Sequence, residues 1–276
     1  MIKNVTLGAD PELFLQNEVE IISAEGLIGG TKEEPREVPG LDGFFIQEDN
    51  IMVEFNIPPS KTSEEFQENI ETMLDFVEEV GRVYDCSISK EASADINEDF
   101  LGTPQSETFG CEPDFNVYTG EENNVTVPFG SRLRTCGGHI HIGYDSPNAN
   151  TSAAIVAAMD ITLGLVSLSM DKDDRRRQLY GDAGSFRFKE YGVEYRTLSN
   201  FWIFDKKTVD WAWKGTHSAI ELVNSGIMSE LTVKFGADIQ NSIDSDNKKL
   251  AKQLLKNISN FIKTKKICVE FSDTQE

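Results

Sequence analysis

The chain has 276 residues and carries 47 acidic against 26 basic side chains, a formal net charge of −21. Such an excess of acid argues against nucleic-acid or acidic-membrane binding by bulk electrostatics. The length admits one large domain or two; with no Pro/Ser-rich linker or low-complexity tract, a single domain over residues 1–276 is expected. Cys86, Cys111, Cys136 and Cys268 lack metal-ligand spacing, and no charged-then-apolar leader follows Met1, so free thiols in a reducing cytoplasm are expected.

Residues Val5 to Leu15 read as a strand, joined by a Gln16-Asn17 turn to a second strand from Glu18 to Ser23. Strand side chains alternate with period two, so Asp10 and Glu12 share a face. Pro11 between them restricts the stretch to an edge or a bulge. Phe44 to Gln47 and Ile51 to Ile57 form a hairpin around Glu48-Asp49-Asn50, with Glu54 and Asn56 side by side. An anion in so apolar a run needs a partner or a metal. The competing readings are a wet edge for Asp10 and Glu12, and the wet face of a half-exposed strand for Glu54 and Asn56. Pro58-Pro59 ends the hairpin. Thr62 and Glu65 make a capping box for a helix whose apolar side is Phe66, Ile70, Met73, Val77, Val80 and Tyr84. Further on, Gly110-Cys111-Glu112-Pro113-Asp114-Phe115 echoes Gly8-Ala9-Asp10-Pro11-Glu12. It either lends Glu112 or Asp114 to the site or is a shared edge-strand device.

The stretch Cys136-Gly137-Gly138-His139-Ile140-His141-Ile142-Gly143 places two of the three histidines on one face of an alternating run. Its glycines allow close approach of a ligand or another backbone. The plain alternative is a pair of hydrogen-bonded core histidines. Asn150 caps a nearly all-apolar helix; its most apolar part, Ala153 to Met170, contains Asp160 and is shorter than a membrane span of about 20 residues. After it, Arg175 to Arg187 sets glycines between cations, which describes an anion site unless the arginines are a solvated helix end. Val193-Glu194-Tyr195-Arg196-Thr197-Leu198 aligns Glu194 with Arg196, in a site or in an ion pair of little weight. Asp205 opens a third helix carrying Trp211, Trp213 and Ile220, in which His217 is taken as structural. Ser245 opens a fourth with Leu250, Leu254, Ile258 and Phe261, and Lys266 to Phe271 reads as a closing strand.

The ordered set of Gly8-Ala9-Asp10-Pro11-Glu12, Phe109 to Phe115, Gly138-His139-Ile140-His141, Tyr180 to Arg187 and Glu194 to Leu198 resembles the glutamine synthetase and γ-glutamylcysteine synthetase superfamily. Within it the chain looks most like the phage-encoded carboxylate-amine ligases, a branch of the amidoligases. The resemblance runs from residue 8 to about residue 201. It implies an α+β fold with a curved, mostly antiparallel sheet, helices packed on one face and the site on the concave side. It implies that Asp10 and Glu12 divide between two metal positions, that Glu54 completes one, and that His139 and Glu194 belong to the other. Arg196 would reach the ATP phosphates, with His141 nearby. The chain departs from its relatives in placing Asp10 where they often have Glu, a shorter arm.

The implied chemistry is amide or peptide-type bond formation through an acyl phosphate, with ATP and Mg²⁺ or Mn²⁺ as cofactors. Carboxylates with one imidazole suit such hard ions. Phosphoryl transfer is mostly positioning and charge neutralisation, and Arg175, Arg177, Arg187 and Arg196 are the expected cationic partners, Arg187, Arg196 and His141 being closest to the chemistry. Arg132 or Arg134, and Asn56 beside Glu54, are candidates for holding the substrate. The partners implied are a small-molecule or peptide carboxylate and an amine, in a host cytoplasm if the chain is phage-encoded, with no membrane and with an oligomer possible. Two other functions fit the residues: a metal-dependent hydrolase using the same histidines and acids, and a catalytically silent binding or virion-associated protein.

Overall fold

The computed structural model describes residues 1–108, 114–123, 127, 130–267 and 269. Its strands, in chain order, are β1 (Thr6–Ala9), β2 (Glu12–Gln16), β3 (Ile21–Ile22), β4 (Arg36–Glu37), β5 (Phe45–Asp49), β6 (Met52–Asn56), β7 (Ser87–Ser89), β8 (Ser93–Asp95), β9 (Phe115–Asn116), β10 (Leu133–Thr135), β11 (Ile140–Gly143), β12 (Ser185–Lys189) and β13 (Gly192–Tyr195). All described pairings are antiparallel. One sheet has the order β1-β11-β13-β12-β9, and a second has β3-β2-β6-β5-β4 with β7 also on β2. The fold is α+β, with a curled sheet and helices packed against it.

The expected strand from Val5 to Leu15 is broken at Asp10-Pro11 into β1 and β2, which belong to different sheets. Pro11 has no N–H to give a ladder, so the chain steps from one sheet to the other there. Backbone bonds close the seam: Glu12 N to Gly137 O at 2.9 Å, Phe55 N to Pro11 O at 3.3 Å and Ile57 N to Ala9 O at 3.2 Å. The expected Glu18–Ser23 strand shrinks to β3, because the Asn17 side chain accepts from the N–H groups of Val19 and Glu20 and holds a turn there. In the β5–β6 hairpin Glu48 and Asp49 remain paired, and the turn falls on Asn50, whose φ of 56° is the left-handed conformation that Asn tolerates.

Helix α1 (Ser63–Val83) starts as expected, Thr62 accepting from Glu65 N at 3.1 Å, and buries Phe66, Ile70, Met73 and Val77. Tyr84 lies past its end and is exposed. α2 (Ala149–Met159), a π turn (Asp160–Gly164) and α3 (Leu165–Met170) form one continuous apolar helix capped by Asn148, not Asn150. At 22 residues it is long enough to cross a membrane, so length does not exclude a span as expected; instead 78% of its most apolar window is buried inside the fold. Asp205 caps α4 (Lys206–Asn224). α5 (Met228–Asp244), absent from the sequence reading, packs Leu231, Phe235, Ile239 and Ile243 inward. α6 (Lys248–Thr264) is capped by Asn247 instead of Ser245, since the Asn247 side chain accepts from Leu250 N. The expected strand from Lys266 to Phe271 lies largely outside the described residues, as do Cys111, Cys268 and Glu112. Cys86 and Cys136 are buried free thiols.

Side chains of the five-stranded sheet sort by the pleat. Ile140, Ile142, Val193, Tyr195 and Phe186 are buried in the apolar core shared with the helices. The alternate residues, His141, Glu194 and Arg187, occupy the other, concave face.

Candidate active site

The register sets one rung across the sheet: Gly8 opposite His141, His141 opposite Glu194, and Glu194 opposite Arg187. Asp10, in the step between β1 and β2, meets this rung. Its Oδ1 lies 2.9 Å from His141 Nε2 and 3.3 Å from His139 Nδ1. Asp10, His141 and Glu194 thus each bring a ligand atom within 4.8 Å of the others. Glu12, Asp49 and Glu54 form a second such group. There Glu12 faces Glu54 across β2–β6, a like-charge pair that disfavours the sheet unless a cation joins it. The Lys32 ammonium, 3.4 Å from Asp49, is the cation nearest to hand.

The two glycines before His139 have steric causes. A Cβ on Gly137 would overlap the His139 ring, and one on Gly138 would collide with Ser199 O and Trp202 Nε1. Trp202 donates to Gly138 O at 3.0 Å and Glu12 accepts from Gly137 N at 2.5 Å, so the run is pinned on both sides.

Charge in the two groups is unevenly balanced. Burial alone would raise Asp10, but His141 and His139 hold its carboxyl well below the usual range. Burial would lower His141, and Asp10 and Glu194 outweigh it and raise it. Glu194 is fully enclosed; burial works to raise it, yet Arg196, His141 and His139 bring it down to about 2. Arg187 at 3.6 Å and Lys189 at 3.1 Å add to its cationic shell, and Arg196 contacts it directly. Glu54 is the opposite case: burial, then Asp10, Asp49 and Glu12, push it well above its ordinary value.

A divalent cation fits both groups. Among the described residues Asp10 Oδ1 and His141 Nε2, 2.9 Å apart and buried, make no well-aligned hydrogen bond, and Glu194 brings a ligand atom within 4.8 Å of both while its Oε2 also has the Lys189 ammonium at 3.1 Å. Glu12, Asp49 and Glu54 are three hard carboxylates with one lysine, an excess of negative charge suited to Mg²⁺ or Mn²⁺. Beside them an open cleft is lined by residues that include Glu12, Lys32, Asp49, Asp114, His139, Arg176, Tyr180, Arg187 and Arg196.

Asp10, Glu12, Glu54, His139, His141, Arg187, Glu194 and Arg196, each singled out from the sequence, therefore meet on one surface. His141 is grouped with Asp10 and Glu194; His139 Nδ1 also lies 3.3 Å from Asp10 and 3.7 Å from Glu194, and the ring lines the cleft 3.2 Å from the Arg196 guanidinium. Of the other candidates only Arg134 lines the cleft. Arg175 is half-buried and pairs with Asp95 at 2.8 Å, and Arg177 lies 3.9 Å from Asp246. A 3₁₀ turn, Arg176–Gln178, explains this: three residues per turn send successive side chains in different directions, and Arg176 is the one turned inward. Arg132 is exposed, with Nε on Ile96 O. Arg134 borders the cleft, but its guanidinium is spent on Asn50 Oδ1 and on the carbonyls of Ser131, Leu133 and Ser106. Asn56 ends β6 outside the cleft lining. The sequence reading missed Asp49, Lys32, Arg176, Lys189, Tyr180 and Tyr191. For Lys189 a signal existed, since it shares a strand face with Arg187. Tyr191, whose hydroxyl meets His141 Nδ1, gave none, because a turn returns it to the site.

Comparison with known families places the chain among carboxylate-amine ligases: one family model matches residues 123–267, a little over half of the chain and the part holding both histidines, Glu194 and Arg196. The chain belongs to the phage phiEco32-like COOH.NH2 ligase-type 2 family. No curated protein matches it significantly. A solved structure of apo GmaS without ligand aligns over 98% of this chain and 72% of that one, at 9% identity and a TM-score of 0.38, a likeness too slight to build on.

Proposed function

We propose that the chain is an ATP-dependent ligase that, within one domain, activates a small-molecule or peptide carboxylate as its acyl phosphate and joins it to an amine. The observation that carries this reading is the division of neighbouring acids: Asp10 joins His141 and Glu194, Glu12 joins Asp49 and Glu54, and both groups adjoin a cleft walled by Arg187 and Arg196. A divalent ion at each group would neutralise phosphate oxygens during transfer. A carboxylate oxygen attacks the γ-phosphorus and ADP departs; the amine then attacks the acyl carbon, phosphate departs and the nitrogen loses a proton.

The protein's own residues have separable tasks. Arg196 is held between Glu194 and Asp114, the latter at 3.6 Å, so its guanidinium meets the transferring group without reorganising. Arg187, one rung over, faces the same space. Tyr191 can accept from His141 Nδ1–H, which fixes the ring with Nε2 toward Asp10 and Glu194, where it would serve a bound cation. The cytoplasm, with its ATP, is the proposed place of action.

Thermal unfolding with ATP and Mg²⁺, together and singly, tests the reading. Both ligands at a hundred times their dissociation constant should add about 2.7 kcal/mol of apparent stability. The gain should require both and vanish in Arg196→Ala. A shift from metal alone would indicate the hydrolase instead, and no response to either would indicate a silent scaffold.

A further inference from the structure

We infer that Arg176 is an oxyanion receptor in the cleft wall, placed to hold either the carboxylate of the acid substrate or the terminal phosphate of the nucleotide. The receptor itself follows from geometry; the choice of these two anions rests on the ligase reading.

Arg176 is 4% exposed and lines the cleft. Its NH1 donates to Thr197 O at 3.0 Å and its NH2 to Arg196 O at 3.2 Å, so two backbone carbonyls fix the guanidinium plane. Among the described residues its buried Nε has no hydrogen-bond partner and no carboxylate oxygen lies within 4 Å of the guanidinium. Neighbouring arginines differ: Arg196 has Glu194 and Asp114, Arg175 has Asp95, and Arg134 has three carbonyls and Asn50. A desolvated guanidinium that feels Glu12 and Asp171 only from beyond ion-pair distance gains from a closer counter-charge supplied from outside the chain.

The surroundings keep this cation in place. Gly181 has φ of 88°, and a Cβ there would overlap Arg176 NH1 and come within 2.9 Å of Thr197 O. The absent side chain of Gly181 is thus the space the guanidinium fills. Tyr180, next to it, also lines the cleft; burial, Glu12 and Asp49 push its hydroxyl up to about 12, so it remains a protonated donor. Anchored on the carbonyl of Arg196, Arg176 stands beside the arginine proposed to meet the transferring group. A planar fork with an unused Nε–H suits bidentate recognition of a carboxylate or phosphate.

The arginine Nε–H signals of the full chain, recorded by ¹⁵N-resolved NMR at constant ionic strength, provide the test. Titration with inorganic phosphate and, separately, with acetate should move one Nε–H signal that is missing in Arg176→Lys and retained in Arg175→Gln. Binding to Arg176→Lys should be at least about tenfold weaker, as expected when a charge remains but the fork is lost. A phosphate response assigns the nucleotide, and an acetate response the acid substrate. If neither anion moves the Arg176 signal, or if Arg176→Lys binds as tightly as the parent, the inference is overturned. Should Arg176→Lys fail to fold, the parent carries the test alone, its Arg176 Nε–H signal assigned by sequential backbone correlation. An anion response without any effect of ATP plus Mg²⁺ on unfolding would keep the receptor and discard the ligase.

Discussion

Replacing Asp160 by asparagine should flatten the decline of stability between about pH 4 and pH 7. Asp160 opens the π turn, is wholly buried, and accepts from Tyr195 at 2.8 Å on one oxygen and from Tyr118 at 2.9 Å on the other. Burial raises its carboxyl to about 7 even though both tyrosines favour the anion. In the unfolded chain it ionises near its ordinary value of 3.8. Between those values the folded state holds the proton and the unfolded state does not, so stability falls as pH rises and levels off above about 7. A rise of roughly three units at about 1.4 kcal/mol each gives a ceiling of about 4 kcal/mol. Asparagine keeps the shape without the charge, and the Tyr118 hydroxyl can turn to accept from the amide, at a cost of about 1 kcal/mol. Urea unfolding of parent and variant at pH 5, 6, 7 and 8 measures the difference, with Asp244, raised to about 6, cancelling between them. The variant should gain on the parent steadily up to pH 7. A difference independent of pH would refute the reasoning, because Asp160 would then be ionised throughout.

Glu54→Gln should stabilise the protein in chelator, by removing one of three crowded carboxylates, while abolishing any stabilisation by Mg²⁺; metal titrations followed by thermal unfolding would show both effects. Gly137→Ala should destabilise by about 1–3 kcal/mol, as overpacking does, because the new methyl overlaps the His139 ring; urea unfolding reads it. Ile239→Ala, in α5 and far from the concave face, should cost about 2–5 kcal/mol and leave nucleotide binding unchanged, as paired unfolding and binding measurements would register. Asn247→Ala should cost about 1 kcal/mol in the same unfolding assay by uncapping α6.

The strand-borne pairs were legible because a period of two places His139 with His141 and Glu194 with Arg196 whatever the tertiary fold. The α1 cap was legible because Thr62 and Glu65 bond within four residues. What was hidden depends on contacts made from afar. Alternation puts Asp10 and Glu12 on one face, and only the family resemblance assigned them to two metal positions; the step at Pro11 is what parts them into two groups. Asp49 read as a turn residue because the hairpin is tighter than its polar tip suggests. Among three consecutive arginines, only the 3₁₀ turn reveals which enters the cleft. The α5 pattern of Leu231, Phe235, Ile239 and Ile243 was present in the sequence, but a glycine at position 236 interrupts it. The second helix read as too short to span a bilayer because its apolar length was counted from Ala153, whereas the Asn148 cap starts it at Ala149 and brings it to 22 residues.

The step at Pro11 also ties two charge clusters to one short length of backbone. Asp10 and Glu12 are two residues apart, so their Cα atoms are separated by at most about 7 Å, a spacing no rotamer change in the sheet can alter. Moving β1 against β2 would therefore displace an acid of both groups together. A cation in either group would bear on the same short step, so the two fillings would be thermodynamically linked, each changing the affinity of the other by the same factor. Lengthening the step by one glycine would separate the clusters mechanically while keeping every ligand atom in the chain.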